Sequence, residues 1–274
     1  MLDFKVNPKK CIKCNHCVTD CPVNIIDFGK KLPFIPKDKE ESCIGCQHCL
    51  AICPTAAISI LQINPLKSTS ISNNIPKYEK FKNLVKGRRS IRHYKNENIS
   101  KENINELLST ALHSPTGANA MNVSFSVIDD KDIMNKYRNE IYDKLKIVVN
   151  NNMLPPGLEF FSGMINKWFV EKKDIIFRNA PHMVIASAPK NSTTPTTDTI
   201  IALSYFELLA SAMGVGTLWC GMANWVIEDI IPEIKIKLGI PEDHIIGEVM
   251  LFGKPSVKYY RTVQRKSTNI RIIK

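Results

Sequence analysis

Eight of the nine cysteines lie in two runs of one spacing. "CIKCNHCVTDCP" starts at Cys11 and "CIGCQHCLAICP" at Cys43, and each reads C-x2-C-x2-C-x3-C-P. Thiolates bind zinc and iron–sulfur clusters, and paired thiols form disulfides. The spacing separates these chemistries. A structural zinc site draws its tetrahedral ligands as two separated pairs. Here three thiols crowd into seven residues, which suits three corners of a cubane and leaves the fourth corner to a cysteine elsewhere. The reading is two [4Fe–4S] clusters, with zinc and disulfides as the alternatives. His16 and His48, inside the runs, read as surface residues and not as ligands.

A proline closes each run, and "VNII" after the first matches "TAAI" after the second. On these features residues 1–66 resemble the two-cluster ferredoxin family along nearly their whole length. The resemblance implies crossed ligation, Cys11, Cys14 and Cys17 with Cys53, and Cys43, Cys46 and Cys49 with Cys21. Crossing would tie both halves into one small domain with too few apolar residues to fold alone.

Clusters carry single electrons, whereas most organic reductions need two, and a flavin is the usual converter. No G-x-G-x-x-G stands between a strand and a helix, so a Rossmann site is not expected. "KGRRSIRHY" places Arg88, Arg89 and Arg92 around Ser90. Planar guanidinium forks beside a hydroxyl suit a phosphate monoester, although so short a basic turn also occurs as a plain solvated face.

The order "RRSIR", "SPTGANAMNVSF", "DTIIALSYFELLASAMGVGTLWCG", "LFGKP", "RTVQRK" resembles the nitroreductase family of FMN enzymes along residues 79–274. The whole chain resembles its ferredoxin-fused members. The resemblance implies an α+β fold, a mixed sheet flanked by helices, in an intertwined homodimer with FMN at the interface. It implies that Arg88, Arg89, Ser90 and Arg92 hold the FMN phosphate, with Arg265 and Lys266 returning to it. Pro115, Thr116, Gly117 and Asn119 would lie along the flavin from the partner subunit. Cys220 and Gly221, with Met222 beside them, would meet the N5 edge. The chain departs from the pattern at Met121, Asn122 and Val123, where many relatives carry Gln, Pro and Trp. Cys220 also reads as a packed small hydrophobe.

Several elements must position these residues. Residues 1–66 form the ferredoxin-like domain, ending in the strand-like "AISILQI"; residues 67–78 read as a linker and 79–274 as the second domain. Ser100 is placed to cap a helix whose apolar stripe is Ile104, Leu107, Leu108, Ala111 and Leu112. Residues 123–129 and 182–188 read as strands, "EVMLFGKP" as a late strand, and "IIPEIKIKLGIP" as a helix. Thr199 to Met213 reads as a helix apolar nearly all round, buried or at a subunit interface. Residues 150–169 mix Pro-Pro, Gly and aromatics and read as a mobile lid or binding wall, with Phe160, Phe161 and Trp168 either lining a pocket or packing in a core.

Composition bounds the function. The formal charge is +11, but no long basic block or aromatic–basic stripe marks a nucleic-acid reader. Eight Lys against six Asp and Glu give residues 1–66 a charge of +2, leaving +9 for the remainder. Two clusters of about −2 each would turn that first segment negative. From Ile200 to Val226 only Glu207 is charged, yet three glycines interrupt the run, so a buried helix is expected and no membrane span. No apolar leader follows the first residues, so a cytoplasmic location is expected. The expected activity is reduction of a nitroaromatic, quinone or similar small aromatic acceptor, fed through the clusters by a ferredoxin-like donor. The alternative runs from NAD(P)H through FMN to the clusters and outward to a partner protein.

Overall fold

The computed structural model describes residues 2–265 and 269–273. The chain forms two compact units, one running to Pro76 with Ala118–Ala120 added, the other running from Lys77 onward.

The first unit is two copies of one pattern. Its sheets are two-stranded and antiparallel, β1 (Lys5–Val6) with β4 (Ile58–Ser59) and β2 (Asp27–Phe28) with β3 (Pro33–Phe34). Two four-residue helices, α1 (His16–Thr19) and α2 (His48–Ala51), bury Cys17 and Cys49 at equivalent places. The repeat reaches the backbone. Positive φ recurs at Lys13 and Gly45, at Asn15 and Gln47, and at Asn24 and Ala56. Left-handed backbone costs a non-glycine residue about 1 kcal/mol, and next to right-handed residues it turns successive N–H groups into one concavity. "AISILQI" is not one strand: Leu61 and Gln62 both take positive φ, and the Ile60–Ile63 bridge closes a tight hairpin over them.

The second unit is three layers. Its sheet has the order β5 (Ser124–Ile128), β6 (His182–Pro189), β8 (His244–Gly253), β7 (Gly216–Trp219), and the paired strands are antiparallel. A parallel bridge from Ser90 to Thr217 adds the mixed element at the β7 edge. Both faces are covered, so β6 is apolar on both sides. Val184 and Ala186 pack with α4 (Lys101–Ala111) and α7 (Pro195–Ala212). Met183 and Ile185 pack with α5 (Lys131–Asn150), α6 (Phe161–Glu171) and α8 (Gly221–Trp225).

Ser100 caps α4, its Oγ accepting from Asn103 N at 3.3 Å, and Ile104, Leu107 and Ala111 are buried, while Leu112 lies past the helix end and stays exposed. The buried α7 starts earlier than its apolar run, because Pro195 is well suited to a first helical turn.

Two expectations are corrected. Residues 150–169 are no simple lid, since Phe161 and Ile165 on α6 are buried in the core and Trp168 stacks on Tyr142 at 4.2 Å. The Pro-Pro-Gly segment is only the turn before this helix. Phe160 alone of the three aromatics stays exposed, edge-on to Trp225. The helix expected in "IIPEIKIKLGIP" shrinks to α9 (Ile234–Lys237), because a π-helical turn at Val226–Ile230 precedes it and Gly239 follows at positive φ.

Candidate metal and cofactor sites

In the first unit the eight thiols divide between two cavities. Cys11, Cys14, Cys17 and Cys53 line one, walled by Phe28, Pro33 and Ile58. Cys21, Cys43, Cys46 and Cys49 line the other, walled by Ile25, Ile26 and Ile60. Each cavity takes three thiols from one run and the fourth from the other. Left-handed residues flank the second cysteine of each run, Lys13 and Asn15 around Cys14 and Gly45 and Gln47 around Cys46, and the short helix carries the third. The fourth, past the helix end, faces the other cavity.

Among the described residues no three His, Cys, Asp or Glu side chains converge closely enough to grip one ion. Four thiols lining one cavity, three from one run and one from the other, are the donor set that a four-iron cluster takes. His16 and His48 are exposed at the cavity margins, and His48 Nδ1 lies 3.3 Å from Asp20. Burial raises the Cys17 thiol and pushes the Cys49 thiol to about 12, so both need nearby cations to ionise. Burial also opposes ionisation of Cys53, yet N–H groups of Ala57 and Thr55 outweigh it and hold that thiol below its ordinary value. Ala57 N–H donates to Cys53 Sγ at 3.2 Å.

In the second unit the structure brings two separate motifs together. The arginine turn follows α3 (Tyr78–Gly87), and Ile91 N–H donates to the Thr217 carbonyl at 2.8 Å. Gly216 permits this approach, because a Cβ there would stand 2.6 Å from Ile91. Arg88 Nη1 donates to Glu207 Oε1 at 2.9 Å. Glu207, on α7, is buried. Arg89 Nη2 donates to the Lys86 carbonyl at 2.7 Å, while its buried Nε has no partner. Arg92 is exposed.

The "SPTG" turn is anchored at the start of α7. Gly117 N–H donates to the Asp198 carboxylate at 3.1 Å, and a Cβ on Gly117 would stand 2.3 Å from Thr194 Oγ1. Thr116 Oγ1 accepts from Met121 N at 2.9 Å. Asn119 belongs to the segment grouped with the first unit, where its Nδ2 donates to the Ile44 carbonyl at 2.8 Å. Pro115 is exposed beside Ser114, which is buried.

Cys220 sits between β7 and α8, its N–H donating to the Val249 carbonyl and its thiol to the Ile176 carbonyl at 3.2 Å. Burial pushes this thiol to about 12. Cys220 is thus packed and un-ionised, and Gly221 beside it opens α8. A thiol-alkylating reagent at mildly alkaline pH should therefore leave Cys220 unmodified in the folded protein. Rapid labelling of its peptide, seen by mass spectrometry, would refute this. Arg265 is exposed irregular chain, and Lys266 lies outside the described residues.

Sequence reading missed the acidic residues that position these groups. Asp174 is fully buried and accepts from Tyr142 Oη and from the N–H groups of Phe177 and Asn179, each at 2.8 Å, with Arg138 Nε 2.9 Å away. This network fixes the loop that presents Ile176 to Cys220. Asp174 carries no local signal. Glu207 did carry one, as the lone charge in an apolar run.

Comparison with known proteins agrees with this architecture. Residues 85–254 match the model of the Nitroreductase family, and residues 10–59 match that of the 4Fe-4S dicluster domain. The chain belongs to the nitroreductase family and carries a ferredoxin-like segment at its N-terminal end, which makes it an oxidoreductase of that class. An Archaeoglobus fulgidus protein, provisionally named as an NADH dehydrogenase/NAD(P)H nitroreductase, is 24% identical over 176 residues, 63% of this chain and 83% of that protein. The Danio rerio iodotyrosine deiodinase is 23% identical over 155 residues, 57% of this chain, and only 50% of that protein is spanned. The structure of a Bacteroides fragilis nitroreductase with bound FMN shares the fold at a TM-score of 0.57 and 18% identity, covering 71% of this chain and 99% of that one. Among the described residues no helix is long and apolar enough to cross a membrane.

Proposed function

We propose that the chain is an FMN-dependent reductase fed through two [4Fe–4S] clusters, acting on a nitroaromatic, quinone or similar acceptor. The observation that carries this reading is the sorting of eight thiols into two four-thiol cavities within a nitroreductase-family chain. When bound, the clusters would move single electrons and FMN would pair them for the acceptor.

The residues present fit these groups. Cys11, Cys14, Cys17 and Cys53 would hold one cluster, and Cys43, Cys46, Cys49 and Cys21 the other, with Ala57 N–H supplying a hydrogen bond to Cys53. Arg88, Arg89, Ser90 and Arg92 would neutralise the FMN phosphate, joined by Arg265 and Lys266. The unpartnered Arg89 Nε supports this, since a buried donor without an acceptor costs about 1–3 kcal/mol. Glu207 orients the Arg88 fork and leaves its other N–H groups available. Cys220 and Gly221 would meet the flavin edge by backbone, the un-ionised thiol taking no part in electron transfer. Pro115, Thr116, Gly117 and Asn119 would reach the flavin of the partner subunit in a homodimer. A small aromatic acceptor would stack on the flavin, and no residue here needs to act as a strong acid.

A second reading sends NAD(P)H electrons through FMN and out through the clusters, and the name of the Archaeoglobus relative favours it. Anaerobic stopped-flow separates the two. On the first reading, flavin bleaches with reduced ferredoxin and only slowly with NAD(P)H. Rapid bleaching by NAD(P)H, with ferredoxin inert as a donor, would reverse the direction of flow.

A further inference from the structure

We propose that the first unit docks a small acidic one-electron carrier protein in the groove beside Cys53. This inference rests on reading the thiol cavities as cluster sites and names the partner that would serve them. Lys5, Asn7, Lys9, Lys10 and Ala57 line the groove, where Asp3 is the one acidic residue among the described lining residues. Asp3 lies 2.6 Å from Lys5 Nζ, so Lys9 and Lys10 form a local positive rim on a unit that two bound clusters would make negative overall.

The groove and the first thiol cavity share a wall. Ala57 lines both. Its carbonyl accepts from Asn7 N at 2.8 Å, and its N–H donates to Cys53 Sγ at 3.2 Å. Lys10 is tied to the same wall, since the Asn7 carbonyl accepts from Lys10 N at 3.2 Å and from Cys11 N at 3.0 Å. A partner seated in the groove is therefore separated from a cluster ligand by a single residue.

Charge and electron count select the partner. A positive rim steers an acidic partner and raises its association rate about 10–1,000-fold at low salt. A hydride donor releases two electrons together, whereas this wall leads to a one-electron acceptor. In the exchange one electron would pass from the reduced carrier by way of the Ala57–Cys53 wall to the cluster that Cys11, Cys14, Cys17 and Cys53 would hold, the carrier leaving oxidised and that cluster reduced by one electron. No bond forms or breaks.

The test uses the anaerobically purified full chain and an oxidised, acidic plant-type [2Fe–2S] ferredoxin as probe. Dissociation constants are measured by calorimetry at several ionic strengths. The variant Lys9→Glu/Lys10→Glu should keep its iron yet bind about tenfold more weakly at low salt, the gap closing as salt screens it. Lys30→Glu/Lys31→Glu, with the same charge change on the β2–β3 turn outside the groove, should bind as the parent does. Iron retained with affinity unchanged in the first variant overturns the docking proposal alone, as does equal weakening in both variants. A parent protein without iron–sulfur clusters overturns the cluster reading and this proposal with it.

Discussion

Replacing Cys21 with serine should empty the site built by the second run of cysteines while leaving the site of its own run intact. Cys21 belongs to the first run in sequence, but its thiol shares a cavity with Cys43, Cys46 and Cys49. Anaerobically prepared Cys21→Ser protein should hold about four irons where the parent holds about eight, or retain a damaged cluster with an altered electron paramagnetic resonance signal. Cys53→Ser should produce the mirror result, sparing the second set. Crossing would also couple the halves, so each variant should lose thermal stability across the whole first unit. If each substitution instead damages the site of its own run, as Cys14→Ser and Cys46→Ser should, the ligation is not crossed.

The second large effect is expected at Arg88. Arg88→Ala should weaken FMN binding about 10–100-fold, since a hydrogen bond to a charged group contributes about 1.5–3 kcal/mol. The same change leaves Glu207 buried without its cation, so some loss of stability is expected as well. The double variant Arg88→Ala/Glu207→Ala separates these effects, because it removes both charges and should regain stability without regaining flavin. Arg88→Lys keeps the charge but not the planar fork, and should fall between parent and alanine variant. FMN affinity unchanged in Arg88→Ala would remove this residue from the phosphate site.

What could be read in advance followed from how local each signal is. The cysteine runs were legible because a cluster imposes ligand spacing within a few residues. Helix α4 was legible because Ser100 and the stripe through Ile104 and Leu107 lie within three turns. Crossing was implied only by resemblance to a family, since nothing near Cys21 announces that its thiol faces the other cavity. Local punctuation misled at residues 150–169, where Pro-Pro and Gly obscured the burial of Phe161 by tertiary packing. The positioning acids lay furthest out of reach. Arg88 and Glu207 are 119 residues apart, and Gly117 and Asp198 are 81 apart, so both partnerships exist only once α7 lies in place.

The central claim is that one chain joins two four-iron clusters to one flavin. Anaerobic purification followed by iron, acid-labile sulfide and flavin analysis tests it most directly. About eight irons, a matching amount of sulfide and about one FMN per chain are predicted. Zinc in place of iron, or a chain that takes up its clusters but no FMN, would contradict it.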